Sequence, residues 1–294
     1  MSYVPWALVS FGLMDILIAL HRRLQRVVDV LHVRPLARRC FRLLLNWPRG
    51  ERRLRRATQN DRVWRLDPEV AVRGEFQEFE TVRWLRQVLK PGMHAIDVGA
   101  NVGQMTLEMA ELVGPHGKVI AIEPAPGNVA LLKRHIEANG FADRVRVIPA
   151  VCTEVADEKV KLKIIGNSPR TVGSGHTIML ERPFLESEKK LGALVLEIPT
   201  ISIDVLCERF EIKPAAVKID VEGAELHVLR GSIDTLRRFN PAIRFGFHPF
   251  AFADPRIATW DIRSLFRDLD YELEEHGESE VLQLLEYTAH AKRQ

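Results

Sequence analysis

Cysteine is scarce in this chain: Cys40, Cys152 and Cys207 are odd in number and far apart. That usage argues against a disulfide framework and against a zinc site, and it fits a reducing compartment. Internal repeats and low-complexity tracts are missing as well. No dinucleotide fingerprint G-x-G-x-x-G occurs, which argues against pyrophosphate binding. The apolar start of the chain has no small-residue cleavage site, so a cleaved secretory signal is not expected. Residues 21–65 lack lysine entirely and have few aromatics, although they carry fourteen arginines. Without interleaved aromatics such a run is a poor match to a nucleic-acid arm, and no nucleic-acid partner is expected.

Those fourteen arginines face only Asp29, Glu51 and Asp61, so residues 21–65 are net +11 in a chain of net +3. A basic arm is joined to an acidic body. Ahead of it, Val4 to Leu20 is apolar apart from Ser10, Gly12 and Asp15, at the short limit for spanning a bilayer. Trp6 at one end and His21-Arg22-Arg23 at the other resemble interfacial anchors. Leu20, Leu24, Val27, Val28 and Leu31 continue one helical face, the pattern of a basic helix on an anionic lipid surface. A helical cap packed on the body or on a second subunit is the competing reading. Attachment would place the body on the cytoplasmic side of a membrane, and the protein is otherwise read as cytoplasmic. Pro48-Arg49-Gly50 and Asp67-Pro68 punctuate the end of the arm. The expected division is a helical arm over 1–65 and a body over 66–294.

The body is organised around Asp97-Val98-Gly99-Ala100-Asn101-Val102-Gly103. Ile96 to Val98 reads as a buried strand, and Gly99, Asn101 and Gly103 permit a tight turn with close approach of backbone to a ligand. A helix pattern through Met105, Leu107, Met109, Ala110 and Leu112 follows. Strand, turn and helix N-terminus make a nucleotide-sized pocket at a sheet's carboxyl edge. A second strand, Lys118 to Ile122, ends at Glu123, about twenty-five residues beyond Asp97. A carboxylate there can accept both hydroxyls of a ribose. A helix from Asn128 to Asn139 and a strand from Val145 to Val151 come next, with the base of a nucleoside expected near Ala150 to Thr153.

Before the turn, Gly74 to Leu89 fits a helix. After the third strand, residues 154–200 break the β/α rhythm. Lys159 to Ile165 and Leu194 to Ile198 read as strands flanking a Gly/Ser-rich functional loop that holds His176. Ser202 to Phe210 is a short helix. The stretch Lys218-Ile219-Asp220-Val221-Glu222-Gly223-Ala224-Glu225 then runs from strand into a helix continuing through Leu236. Asp220, Glu222 and Glu225 must repel one another, so a cation, a proton or hydrogen-bond donors are required beside them. His248 ends the next strand, Ala242 to Phe247, and is a candidate base or substrate contact. A helix from Ile257 to Leu269 and an antiparallel pair, Tyr271 to Glu275 and Val281 to Ala289 with a turn at His276-Gly277-Glu278, complete the body. The whole reads as α/β: a mostly parallel, doubly wound sheet with a terminal antiparallel strand.

The IDVGANVG turn, the IEP tip and KIDVEGAELHVLRG together resemble the FkbM family of S-adenosylmethionine-dependent methyltransferases, over roughly residues 74–250. The resemblance implies a Rossmann-like class I methyltransferase fold, S-adenosylmethionine as cofactor, and O-methylation of a glycan, lipid-linked or secondary-metabolite hydroxyl. It implies Asp97, Gly99, Asn101 and Gly103 at the methionine moiety and Glu123 at the ribose. It also places Lys218, Asp220, Glu222, Gly223 and Glu225 in the family's later motif. With His248 added, Lys218, Asp220 and Glu222 are the catalytic candidates, and no metal is expected. Phe245-Gly246-Phe247 departs from the family, which places a carboxylate in this strand. Two other functions stay open: a non-catalytic binding module on the same fold, and a nicotinamide-dependent oxidoreductase. The missing fingerprint and the lack of a Tyr/Lys or Cys/His pair weigh against the second.

Overall fold

The computed structural model describes residues 54–73, 78–164, 194–279 and 284–292. Seven strands form the central sheet: β3 (His94–Val98), β4 (Lys118–Ile122), β5 (Val145–Ile148), β9 (Pro214–Ile219), β10 (Ala242–Phe247), β11 (Tyr271–Ser279) and β12 (Leu284–Ala291). Their spatial order is β11-β12-β10-β9-β3-β4-β5. The strands from β10 to β5 pair in parallel, and β12 lies antiparallel between β10 and β11. The chain winds outward from β3 through β4 to β5, then returns to β9 on the other side of β3. This reversal opens a crevice at the carboxyl ends of β3 and β9.

Period-two alternation divides the sheet's faces. Ile96, Val98, Ile120, Ile122, Val217 and Ile219 point into one core. That core is completed by α5 (Ile203–Arg209), α6 (Glu225–Arg230), α7 (Ile233–Phe239) and α8 (Pro255–Asp268). Small Ala95, Ala121 and Ala216 face the other core, beneath α2 (Phe79–Val88), α3 (Gln104–Val113) and α4 (Pro126–Ala138). In-register pairing sets Asp97, Lys218 and Arg244 side by side across β3, β9 and β10 on this second face. All three are buried. A smaller sheet of β6 (Val151–Cys152), β8 (Leu194–Ile201) and β7 (Lys159–Ile164) flanks the crevice.

The arm expected over 1–65 lies mostly outside the described residues, and so does the apolar stretch 4–20. Among the described residues no helix is long and apolar enough to cross a membrane. The arm's last part is a β-hairpin, β1 (Arg55–Gln59) and β2 (Arg62–Leu66), followed by the short α1 (Pro68–Arg73). The hairpin docks on the two helices that follow β3 and β4. Gln104 Nε2 donates to Gln59 Oε1 (2.8 Å), and Arg62 lies 3.5 Å from buried Glu108. Asn139 exchanges two hydrogen bonds with the Arg65 backbone. His135 accepts from the Asp67 amide at Nε2 and donates from Nδ1 to the Val102 carbonyl. Trp64 packs edge-on against Phe141.

Several elements depart from the sequence reading for local reasons. The strand expected over Val145 to Val151 divides at Pro149, which has no N–H to donate; β6 then joins the small sheet. The helix expected through Leu236 breaks at Gly231-Ser232. A Cβ at Gly231 would collide with the Thr153 carbonyl, and Asp204 accepts from the Asp234 and Thr235 amides to start α7 afresh. Strand β11 runs through the turn expected at His276-Gly277-Glu278, absorbing it as an irregularity between Glu275 and Glu278. The expected helix over Gly74 to Leu89 is described from Phe79 onward; 74–77 and the His176 loop lie outside the described residues.

Candidate active site

The crevice at the β3/β9 reversal is a cleft lined by Val98, Ile122 and Lys218 at the strand ends and by the loops that follow them. Its floor is the glycine turn. Gly99 has φ +77°, and a Cβ there would overlap the carbonyl oxygen of Asp220, so only glycine lets the tips of β3 and β9 meet. The amides of Gly99 and Ala100 both donate to the Ile122 carbonyl, at 3.0 and 2.9 Å. Asn101 adopts a left-handed φ of 49°, aiming its amide at Glu123 Oε2 (2.8 Å). Gly103 (φ +96°) starts α3 against Leu132.

Glu123 lines the cleft while buried. Its carboxylate also accepts from the Ala125 amide (2.9 Å) and Asn128 Nδ2 (3.2 Å). Burial pushes its pKa up, and these donors only partly offset that. Three donors use most of the about four acceptor positions a carboxylate offers. Room remains for one ribose hydroxyl on Glu123 rather than the expected two. Ala150 and Cys152 line the cleft beyond it, where the base of a nucleoside was expected.

Asp97 occupies a different place from its turn partners: it is fully buried under the floor and contributes nothing to the lining. Thr106 Oγ1 donates to its Oδ2 at 2.6 Å, and Lys218 Nζ is 3.9 Å from Oδ1. Burial nevertheless raises its pKa, with Lys218 opposing. Lys218 and Asp220 both line the cleft, 3.4 Å apart. Burial works against the Lys218 charge, but Asp220, Asp97 and Glu78 outweigh it and hold its pKa above the ordinary lysine value. Burial also works against the Asp220 charge; Lys218 and His248 outweigh it, so Asp220 is held below the usual carboxylate range.

The remaining candidates divide between wall and backing. Glu222 lines the cleft with its backbone at φ 52°, and its carboxyl is pushed up to about 7, first by burial and then by the Asp220 charge. Glu225 is fully buried behind it, and its Oε1 accepts from the Gly223 amide (2.9 Å) and His248 Nδ1 (2.7 Å). His248 is likewise buried outside the lining, with Nε2 3.9 Å from Asp220. Burial would lower its pKa, but the Glu225 bond and the surrounding carboxylates raise it. Lys218 thus supplies a cation, and His248 a hydrogen-bond donor, beside the clustered carboxylates. Two non-glycine residues in left-handed backbone, Asn101 and Glu222, face one cleft, and such strain concentrates at functional sites.

Sequence reasoning did not single out Glu78, Gln104 or Asn128, all of which line the cleft. Glu78 looks like any acid in a helix's first turn, and only the packing of α2 across β9 brings it in. Arg244 was also missed. It donates from Nε to Thr81 Oγ1 (3.1 Å) and pairs with Glu286.

With this geometry in hand, the family model of the methyltransferase FkbM domain matches residues 97–279. The chain belongs to the FkbM methyltransferase family. Its matched region is an α/β domain built on a mostly parallel sheet, and the family is S-adenosylmethionine-dependent. A protein-L-isoaspartate O-methyltransferase of Triticum aestivum is 29% identical over 121 residues, 41% of this chain and 52% of the relative. A probable cobalt-precorrin-6B C(15)-methyltransferase (decarboxylating) of Saccharolobus solfataricus is 25% identical over 165 residues, 49% of this chain and 81% of the relative. The chain therefore spans about half the length of the Triticum aestivum relative. The solved structure of methyltransferase FkbM from Methylobacillus flagellatus matches 73% of this chain and 52% of its own at 15% identity, with a TM-score of 0.44. The FkbM cofactor fits the residues present. Asn101, at the cleft floor, has its Oδ1 buried without a hydrogen-bond partner among the described residues, leaving an acceptor for a ligand donor.

Proposed function

We propose that this FkbM protein methylates a hydroxyl oxygen of a glycan, lipid-linked or secondary-metabolite acceptor. The observation that carries the reading is the pair of cleft-lining carboxylates at the tip of β9, directly across the glycine turn: Asp220, held ionised, and Glu222, with a pKa of about 7. When bound, S-adenosylmethionine supplies an activated methyl group on a sulfonium sulfur. Glu123 holds the donor's ribose, Gly99 and Asn101 border its methionine moiety, and the walls of the cleft exclude water. Asp220, fixed by Lys218, accepts the acceptor's hydrogen bond and orients its oxygen in line. As that oxygen gains the methyl group, its proton passes to a Glu222 carboxylate oxygen, because a base works best with a pKa near the working pH. Glu225 and His248 hold Asp220 from behind. The arginine-rich arm supports acceptors presented at an anionic membrane surface.

Incubation with methyl-labelled donor and either membrane or soluble extract, followed by identification of the labelled compound, tests this reading. Label released from the product by ether cleavage, and missing with Glu222→Gln, is expected. Label on nitrogen, carbon or carboxylate oxygen would overturn it. Tight binding of S-adenosylhomocysteine without transfer to any extract would favour a binding module instead.

A further inference from the structure

The cleft has two ends of different character. Ala150 and Cys152, beyond β5, line one end; Glu123 follows β4; the glycine turn follows β3; Lys218, Asp220 and Glu78 line the end at β9 and α2. A donor with its base at Ala150 and its ribose at Glu123 must send its amino-acid tail toward the β9 end. That tail carries one ammonium and one carboxylate. Asp97, which the family motif suggests for the methionine moiety, is sealed under the floor and tied to Thr106 and Lys218. Asp220 already faces Lys218 at 3.4 Å and His248 Nε2 at 3.9 Å. Glu78 is differently placed: it lines the cleft and hydrogen-bonds the Thr81 hydroxyl, and although the Lys218 charge acts on it, no cation comes within 4.0 Å of its carboxylate among the described residues. Thr81 is itself anchored by Arg244, which fixes the start of α2 over the sheet.

We propose that Glu78 is a donor-binding residue, whose carboxylate accepts the ammonium group of the donor's amino-acid tail. The proposal rests on the donor reading above. It assigns a ligand contact to the residue that caps the start of α2, ahead of the glycine turn and outside the matched family region.

The test is calorimetry on the full chain with two probes. S-adenosylhomocysteine carries the tail, and 5′-methylthioadenosine keeps the nucleoside without it. Glu78→Gln is expected to weaken S-adenosylhomocysteine roughly 10- to 100-fold, the worth of a charge-assisted hydrogen bond, and to leave methylthioadenosine unchanged. A deaminated homocysteine analogue is expected to show the same loss on wild type and no further loss on Glu78→Gln, as a closed cycle requires. Glu78→Asp, which keeps the charge one methylene back, should fall between. Equal weakening of both probes, or of neither, overturns the assignment of Glu78. Failure of the wild type to bind either probe overturns the donor reading itself.

Discussion

Gly99 lies against the carbonyl of Asp220 with no room for a methyl group between them. The glycine turn and the tip of β9 are therefore one mechanical unit, joined further by the Asp220 amide donating to the Val98 carbonyl at 3.0 Å.

Gly99→Ala should break that unit. Left-handed backbone costs a non-glycine residue about 1–2 kcal/mol, and overpacking adds about 1–3 kcal/mol. A loss of at least about 2 kcal/mol in denaturant unfolding is expected, with calorimetric binding of S-adenosylhomocysteine abolished. Gly140→Ala, whose φ is also positive but whose surroundings are open, isolates the backbone contribution and should leave ligand binding intact.

Catalysis should require Glu222 ionised. The rate kcat/KM should rise with pH along a limb centred near 7. Glu222→Gln should lose about 10²- to 10⁴-fold, the worth of a general base. The Asp220 charge is one cause of the raised value, so the residual activity of Asp220→Asn should show its limb at lower pH. A limb that stays in place after Asp220→Asn would contradict this coupling.

Two buried histidines should affect stability in opposite directions. Burial lowers the His135 pKa, so the folded state favours neutral imidazole; its contribution is present above the ordinary histidine pKa and is lost as pH falls below it. The pKa of His248 is raised by Glu225, so its contribution is present below the ordinary value and lost as pH rises through the folded one. Unfolding free energies of His135→Gln and His248→Gln, each compared with wild type across pH 5–8 (about the range in which histidine titrates), should diverge from it at opposite ends.

Glu108 is fully buried with a pKa pushed up to about 7, chiefly by burial, and Arg62 offsets part of that. Arg62→Ala should destabilise by about 1–3 kcal/mol by leaving a buried acid poorly compensated. Adding Glu108→Gln should recover part of the loss in thermal melts. Strictly additive losses would show that the pair does not interact.

Much of the parallel sheet was legible because Ile96 to Val98, Lys118 to Ile122 and Ala242 to Phe247 are short apolar runs bounded by glycine, proline or a polar tip. The glycine turn was legible for the same reason. Pairings at a distance were not. Nothing local in Glu78 separates it from Glu75 or Glu80, and nothing in Asp97 says that it faces under the floor and not into the cleft. Gly231 reads as a tolerable helix residue until the Thr153 carbonyl arrives against it. His135 and Asn139 look like ordinary helix positions, yet they hold the backbone of Arg65 and Asp67.

The row of Asp97, Lys218 and Arg244 has a consequence for how the strands find one another. Their partners come from three neighbouring strands in strict alignment. Sliding β9 by one residue would turn Lys218 toward the isoleucine and valine core and strand a buried charge on each side. Apolar strands such as these would otherwise tolerate several alignments. The three charges act as registration marks, penalising each misaligned sheet before a cleft can form over it.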